Sequence, residues 1–346
     1  MAVLAVATSS PPDVEGGHLV IARSLVAAAR DGGHDAHLVL TPDRGFGRLR
    51  ASYWETWKMD ISHVNGVKVD QVISLRYPSY AVRHPAHLCW LNHTMREYYD
   101  LWPQWTTRIT PRNRVKERIR KTLLRATDAW LLTSNLTKLL AQSRTIQRRL
   151  VDELGIRPDV LWPPPPKHAY RCDRYGDYVF AASRLTPLKR IDLLIRALAE
   201  PAARGVRAVI AGDGEDRGAL EQLAAELDVA GRVAFLGRID DEMLLGHLAN
   251  CRAVCFAPFA EDYGLVTIEA FASRKPVITC SDSGGPTELV RDGETGFVTE
   301  PTPSALALAL ARVSDDAAFA ERLGTRAAEQ AAAMTWDAAL KQLIII

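Results

Sequence analysis

Short apolar runs alternate with amphipathic helical stretches along almost the whole chain, and one run of four prolines cuts that alternation in two. Before the prolines, AVLAVAT (2–8), DAHLVLT (35–41), GVKVDQVIS (66–74), HLCWLN (87–92) and AWLLTS (129–134) read as strands. Helices such as HLVIARSLVAAARDG (18–32) lie between them. After the prolines the strands are DYVFAAS (177–183), VRAVIAG (206–212), RVAFLG (232–237), AVCFAP (253–258), PVITC (276–280) and GFVT (296–299). Apolar strands separated by helices require parallel sheets covered on both faces. Pro163 to Pro166, inside DVLWPPPPKHAYRC (159–172), suit neither a helix nor a central strand and read as a stiff linker. The expected fold is α/β: one Rossmann-like domain over 1–165, a second over 166–334, and a cleft between them. At 346 residues the chain is long enough for both. Ligands of such sheets bind beyond the carboxyl ends of the strands, so binding motifs should follow strands directly.

Charge separates the two halves. Residues 1–166 carry 23 Lys and Arg against 15 Asp and Glu, whereas residues 167–346 carry 20 against 26. Such a split suggests domains with different partners. No apolar run is long enough to span a membrane. The N-terminal AVLAVA lacks a basic segment before it and reads as a buried strand, not a leader. Cys89, Cys172, Cys251, Cys255 and Cys280 form no CxxC pair and read as buried thiols of a cytoplasmic protein.

Four stretches could carry chemistry. In AEDYGLVTIEAFA (260–272) a loop holds Glu261, Gly264 opens a helix, and Glu269 follows within it. Glycine admits close approach to the backbone, and the first helical N–H groups favour an anion. The plainer readings are a solvated loop acid for Glu261 and an internal ion pair for Glu269. In SRLTPLKRIDLLI, Arg184 and Lys189 follow a strand and surround a helix start, where two cations suit a diphosphate; ordinary surface charge is the alternative. SSPPDVEGGHL (9–19) places Gly16 and Gly17 before the first helix, as a backbone anion site or a plain turn. His93, in CWLNHTMREYY, follows a strand and could bond a ligand or move a proton, or simply pack among aromatics.

GDGEDRG (212–218) nearly matches the dinucleotide fingerprint, but its third glycine comes one place late, which favours a strand-to-helix turn. No DxD pair, HExxH or Walker lysine loop occurs. RITPRNRVKERIRKTLLR (108–125) carries eight basic residues and the single acid Glu117. Val115, Ile119 and Leu123 recur every four positions in it, so it reads as a basic amphipathic helix. It could touch an anionic membrane surface, or present a solvated face. Nothing in it suggests nucleic acid.

Taken together, these residues resemble the retaining glycosyltransferases of family 4, glycosyl transferases group 1, over nearly the whole chain. The resemblance rests on the E-x7-E of Glu261 and Glu269, on KPVITCSDSGGPTELVRDGETGFV (275–298) with Gly284, Gly285 and Glu288, on Arg184 and Lys189, on Gly16-Gly17, and on His93. It implies the GT-B fold, two Rossmann-like parallel-sheet domains facing each other across a cleft. It also implies a C-terminal helix, about 335–346, that packs back on the first domain. The implied activity is transfer of a sugar from a UDP- or GDP-sugar to an acceptor hydroxyl, with retention, an α-linked product, and no metal or other cofactor. The resemblance assigns the ribose to Glu269, the diphosphate to Arg184 and Lys189, and further backbone donors to Tyr263, Gly264 and Leu265. Gly16 and Gly17 would meet the phosphate, and Glu261 and His93 the sugar.

The acceptor would be a glycan, a lipid-linked sugar or a small molecule, reached in the cytoplasm or at the inner membrane face through 108–125. KRIDLLI is similar to segments of mannosyltransferases that use GDP-mannose. Two positions depart from the family pattern: Arg274 stands where many members have glycine, and Asp262 adds a negative charge beside the expected diphosphate. A nucleotide-sugar epimerase and a non-catalytic nucleotide-sugar-binding scaffold are the competing readings.

Overall fold

Val3–Ser9 is buried along nearly its whole length on both faces, so it can only be an interior strand of a sheet covered on both sides. It is β1 of the computed structural model, which describes residues 1–10 and 16–346. The chain then forms α1 (Gly17–Asp31), β2 (Asp35–Thr41), α2 (Leu49–Lys58), a hairpin of β3 (His63–Val64) and β4 (Val67–Lys68), β5 (Gln71–Arg76) and β6 (His87–His93). It continues with α3 (Trp102–Thr106), α4 (Pro111–Ser134), β7 (Lys138–Ala141), α5 (Arg144–Leu154) and β8 (Asp159–Val160). The main sheet has the order β2-β1-β5-β6-β7-β8, with every neighbouring pair parallel. The order reverses between β1 and β5, which is the switch point of this sheet.

The second sheet repeats the plan. Its elements are β9 (Tyr178–Ala182), α6 (Ile191–Ala199), β10 (Arg207–Ala211), α7 (Arg217–Glu226), β11 (Val233–Gly237), α8 (Asp241–Asn250), β12 (Ala253–Cys255), α9 (Leu265–Ala272), β13 (Val277–Cys280), α10 (Gly285–Leu289), β14 (Gly296–Thr299), α11 (Pro303–Asp315) and α12 (Ala317–Ala332). The order is β11-β10-β9-β12-β13-β14, again all parallel, with the switch between β9 and β12. Val179, Ala181, Ile195, Leu198, Ile210, Ile278 and Leu310 fill its core.

The chain divides into two compact units, Met1–Lys167 with Thr335–Ile346, and His168–Met334. The last helix, α13 (Trp336–Leu343), therefore belongs to the first unit. Its Trp336 indole N–H donates to the Pro165 carbonyl at 2.9 Å, the Gln71 amide donates to the Leu343 carbonyl at 2.7 Å, and Leu343 is fully buried.

Four sequence expectations need correction. Residues 129–134 are the end of the 24-residue α4, not a strand. A short apolar run does not distinguish a strand from a buried helix segment, and the helix-forming residues before it carry the helix through. The strand of that region is β7, four residues later. The run 66–74 is two elements: Asn65 (φ 53°) and Gly66 (φ 79°) make the hairpin turn. Asp70, whose carboxylate accepts from the Val3 N–H at 2.8 Å, then redirects the chain into β5. The stretch 159–172 is not linker throughout, because Asp159–Val160 pairs with β7 as the edge strand β8. Finally, Cys172 is only half-buried, unlike the other four cysteines, because it lies in the extended segment after the prolines.

Candidate functional site

At the switch point of the second unit, the loops that leave β9 and β12 emerge side by side. The loop after β9 carries Arg184 and Lys189. Two glycines of GDGEDRG support it from β10: a Cβ on Gly212 would lie 1.8 Å from the Ser183 carbonyl oxygen, and one on Gly214 would lie 2.2 Å from that of Leu185. The Leu185 N–H donates to the Asp213 carbonyl at 3.0 Å. The near-fingerprint is thus a packing turn that fixes the Arg184 loop.

Lys189 reaches across the switch, and its Nζ lies 2.6 Å from Oε2 of Glu261; both side chains are about one-fifth exposed. The Lys189 ammonium also stands 5.5 Å from the centre of the Phe256 ring. Arg184 is exposed, and among the described residues it forms no ion pair. Arg190, the next residue after Lys189, has φ 49° and donates through a guanidinium fork to both oxygens of Asp282, at 2.7 and 2.8 Å. It also donates to the carbonyls of Ala257 and Pro258, at 2.8 and 2.7 Å. One half-buried fork therefore ties the loops after β9, β12 and β13 together.

The loop after β12 is laced to the loop after β13 by its backbone. The Glu261 N–H donates to Ser283 O at 2.8 Å, and the Gly285 N–H donates to Glu261 O at 2.9 Å. Glycine is required here. Gly264 has φ 83°, and a Cβ there would meet Pro286 at 2.8 Å; a Cβ on Gly285 would lie 2.5 Å from the Tyr263 Cα. Tyr263 turns its ring inward and is buried, so only its backbone is offered to a ligand, whereas Leu265 is half-buried. Gly264 precedes α9, whose first N–H groups have no intrahelical acceptor by geometry. The arrangement offers backbone donors and a lysine at one end of a sheet, a setting suited to an anion.

Glu269 lies further along α9 and is buried. Its partner is not a basic residue: Oε1 accepts from the Tyr170 hydroxyl at 3.3 Å. Burial raises its pKa to about 7, with Asp241 adding to the rise and Tyr170 opposing it. Glu269 thus sits near half-ionisation at neutral pH.

In the first unit, Gly16 precedes α1 and Gly17 is its first residue. Residues 11–15 of the SSPPDVEGG loop lie outside the described residues. His93 ends β6, half-buried, and its carbonyl accepts from the Tyr77 N–H at 3.1 Å. Lys189, Glu261, Tyr263, Gly264, Leu265 and Glu269 share the switch-point end of the second sheet, whereas Gly16, Gly17 and His93 lie at strand ends of the first.

Sequence reasoning missed Arg190, Asp282 and Tyr170. The Arg190–Asp282 pair spans 92 residues, so no local pattern announces it. Arg274 has φ 57°, the left-handed region where glycine is favoured, so arginine there costs on the order of 1 kcal/mol. Among the described residues, no group of three His, Cys, Asp or Glu side chains could hold a metal ion.

Residues 174–330 match the family model described as glycosyl transferases group 1. A D-inositol 3-phosphate glycosyltransferase from Nocardia farcinica is 33% identical over 224 residues, covering 58% of this chain and 49% of that protein. A GDP-mannose-dependent alpha-(1-6)-phosphatidylinositol monomannoside mannosyltransferase from Mycolicibacterium smegmatis is 36% identical over 161 residues, 43% of this chain and 42% of that one. The chain thus spans about half the length, or less, of the curated relatives it matches. Among solved structures, HepE from Anabaena in complex with UDP and glucose superposes with a TM-score of 0.73 at 18% identity, covering 99% of this chain and 98% of that one. A sucrose-phosphate synthase from Thermosynechococcus elongatus gives 0.77 at 17%, covering 99% and 97%. Residues 174–330 are thus similar to the glycosyl transferases group 1 family, and the chain shares with these solved structures the two Rossmann-like domains of the GT-B fold.

Proposed function

We propose that the protein is a retaining, metal-independent glycosyltransferase that moves a sugar from a UDP- or GDP-sugar to an acceptor hydroxyl and leaves an α-linked product. The observation that carries this reading is the 2.6 Å contact of Lys189 with Glu261 over glycine-laced loops at the switch point. A diphosphate arriving there competes with Glu261 for Lys189 and leaves the carboxylate to the sugar. As the anomeric C–O bond breaks, its electron pair passes to the diphosphate, where Lys189, Arg184 and the N–H groups from Tyr263 to Leu265 stabilise the charge. Glu261 offsets the positive charge on the anomeric carbon. The acceptor oxygen bonds that carbon from the face the diphosphate leaves, and the acceptor proton passes to the departing phosphate. Glu269 accepts hydrogen bonds from the ribose hydroxyls. Gly16, Gly17 and His93 are the candidate phosphate and sugar contacts of the first unit.

The Mycolicibacterium relative, with GDP-mannose in its name, and the Anabaena structure, which contains UDP, support a nucleotide-sugar donor. The acceptor is a glycan, a lipid-linked sugar or a small molecule, met in the cytoplasm or at the membrane face through 108–125. The test is nucleotide release from UDP- and GDP-sugars in EDTA, with and without candidate acceptors such as inositol phosphate, and with the product anomer read by NMR. Acceptor-dependent release with an α product supports the proposal. Epimerised donor without acceptor, or no turnover of either donor, contradicts it.

A further inference from the structure

Helix α4 carries a second apolar row on its outer side. Its protein-facing side buries Leu124, Leu131 and Leu132 together with two carboxylates, Glu117 and Asp128, while the row Val115, Ile119 and Leu123 stands in solvent at 64%, 59% and 61% exposure. Glu117 accepts from the Tyr98 hydroxyl at 2.6 Å and pairs with Arg120 at 2.6 Å. Asp128 accepts from the hydroxyls of Tyr53, Tyr80 and Tyr99. With these leucines packed in the core and both carboxylates bonded, that side sets the orientation of the helix and leaves the second apolar row outward.

At about 100° per residue, Val115, Ile119, Leu123, Ala126 and Trp130 fall on one stripe roughly 80° wide and about 22 Å long. Trp130 is 51% exposed, and its ring lies 5.3 Å from that of Trp57. Trp54, on the same α2, is 58% exposed, with the Lys58 ammonium 4.5 Å from its ring centre. Arg112, Lys116 and Arg118 are exposed beside the stripe, and among the described residues none of them pairs with a carboxylate.

We propose that α4 lies flat on an anionic lipid bilayer, with Val115, Ile119, Leu123 and Trp130 among the acyl chains and Arg112, Lys116 and Arg118 at the headgroups. An exposed apolar stripe flanked by unpaired cations and edged by tryptophan matches the interfacial plane of such a bilayer, apolar below and negative above. A second copy docked on this face would set its unpaired cations against the same cations. Nucleic acid would neutralise the cations but leave the apolar stripe without a partner. The inference is independent of the transferase reading, since it concerns binding alone.

The test is flotation of the full chain with vesicles of phosphatidylcholine alone and of phosphatidylcholine with about 30% phosphatidylglycerol. The protein should float with the anionic vesicles and stay behind with the neutral ones. The triple variant V115D/I119D/L123D, whose sites are exposed and whose circular dichroism and Tm should match wild type, should bind anionic vesicles at least about tenfold more weakly. R112E/K116E/R118E should show a similar loss. No flotation of wild type with anionic vesicles, or wild-type flotation by the triple variant, would overturn the proposal. So would self-association that the triple variant abolishes in the absence of lipid.

Discussion

Lys189 and Glu261 are the residues on which the donor reading turns. Lys189→Ala should lower donor turnover by roughly 10²-fold or more, as loss of a preorganised charge partner does, while circular dichroism stays unchanged. Retained turnover would remove Lys189 from the site. Glu269 makes a sharper prediction, because its folded pKa of about 7 lies above the ordinary 4.5. A raised carboxyl pKa means that the fold holds a proton the unfolded chain has lost. Its contribution to stability therefore falls as pH rises from about 4.5 to about 7 and is constant above that. In the proposed role, ribose hydroxyls donate to the ionised form, so uridine or guanosine affinity should rise about tenfold between pH 6 and pH 8. Glu269→Gln should abolish that rise; a flat profile in wild type would refute the role. Both glutamates were legible in the sequence because they share one strand–loop–helix unit with Gly264. Tyr170, which bonds Glu269 from 99 residues away, was not, because nothing local encodes that contact.

At the scale of elements, the hub of the first unit is Asp128, buried on α4 and bonded by tyrosines from α2, from the turn after β5 and from the turn after β6. Burial raises its pKa to about 6, against the pull of the three hydroxyls. Asp128→Ala orphans three phenols and should cost about 3 kcal/mol, read as a lower Tm. An unchanged Tm would mean that the cluster repacks. Gly264→Ala combines φ 83° with a 2.8 Å approach to Pro286, and should cost about 1–2 kcal/mol while weakening nucleotide binding. Parallel strands with flanking helices were readable from the apolar pattern alone at β1, β2, β6 and β9. The end of α4 was not, because AWLL suits a strand and a helix equally, and the helix-forming residues before it, together with the tyrosine cluster around Asp128, decide between them. The same cluster explains why an i, i+4 apolar row, ordinarily a sign of the buried face, points outward here.

At the scale of the molecule, the chain returns to its first unit after completing the second. Leu343→Ala should cost about 2–5 kcal/mol, confined to the unfolding transition of the first unit in calorimetry. An equal drop in both transitions would contradict the assignment of α13 to one unit. Two alternating halves divided by prolines made the two-sheet plan legible. The edge strand β8 escaped because only two residues of it pair, within a stretch that otherwise reads as linker. The central claim is that the second unit binds a nucleoside diphosphate at its switch point without metal. Its most direct test is the thermal shift of the full chain against UDP, GDP, ADP and NAD, with and without EDTA, for wild type and Lys189→Ala. The account predicts stabilisation by UDP or GDP that EDTA does not alter and that Lys189→Ala removes, since a ligand bound only to the folded state raises Tm. Stabilisation by NAD alone, or by UDP and GDP equally in the variant, would contradict it.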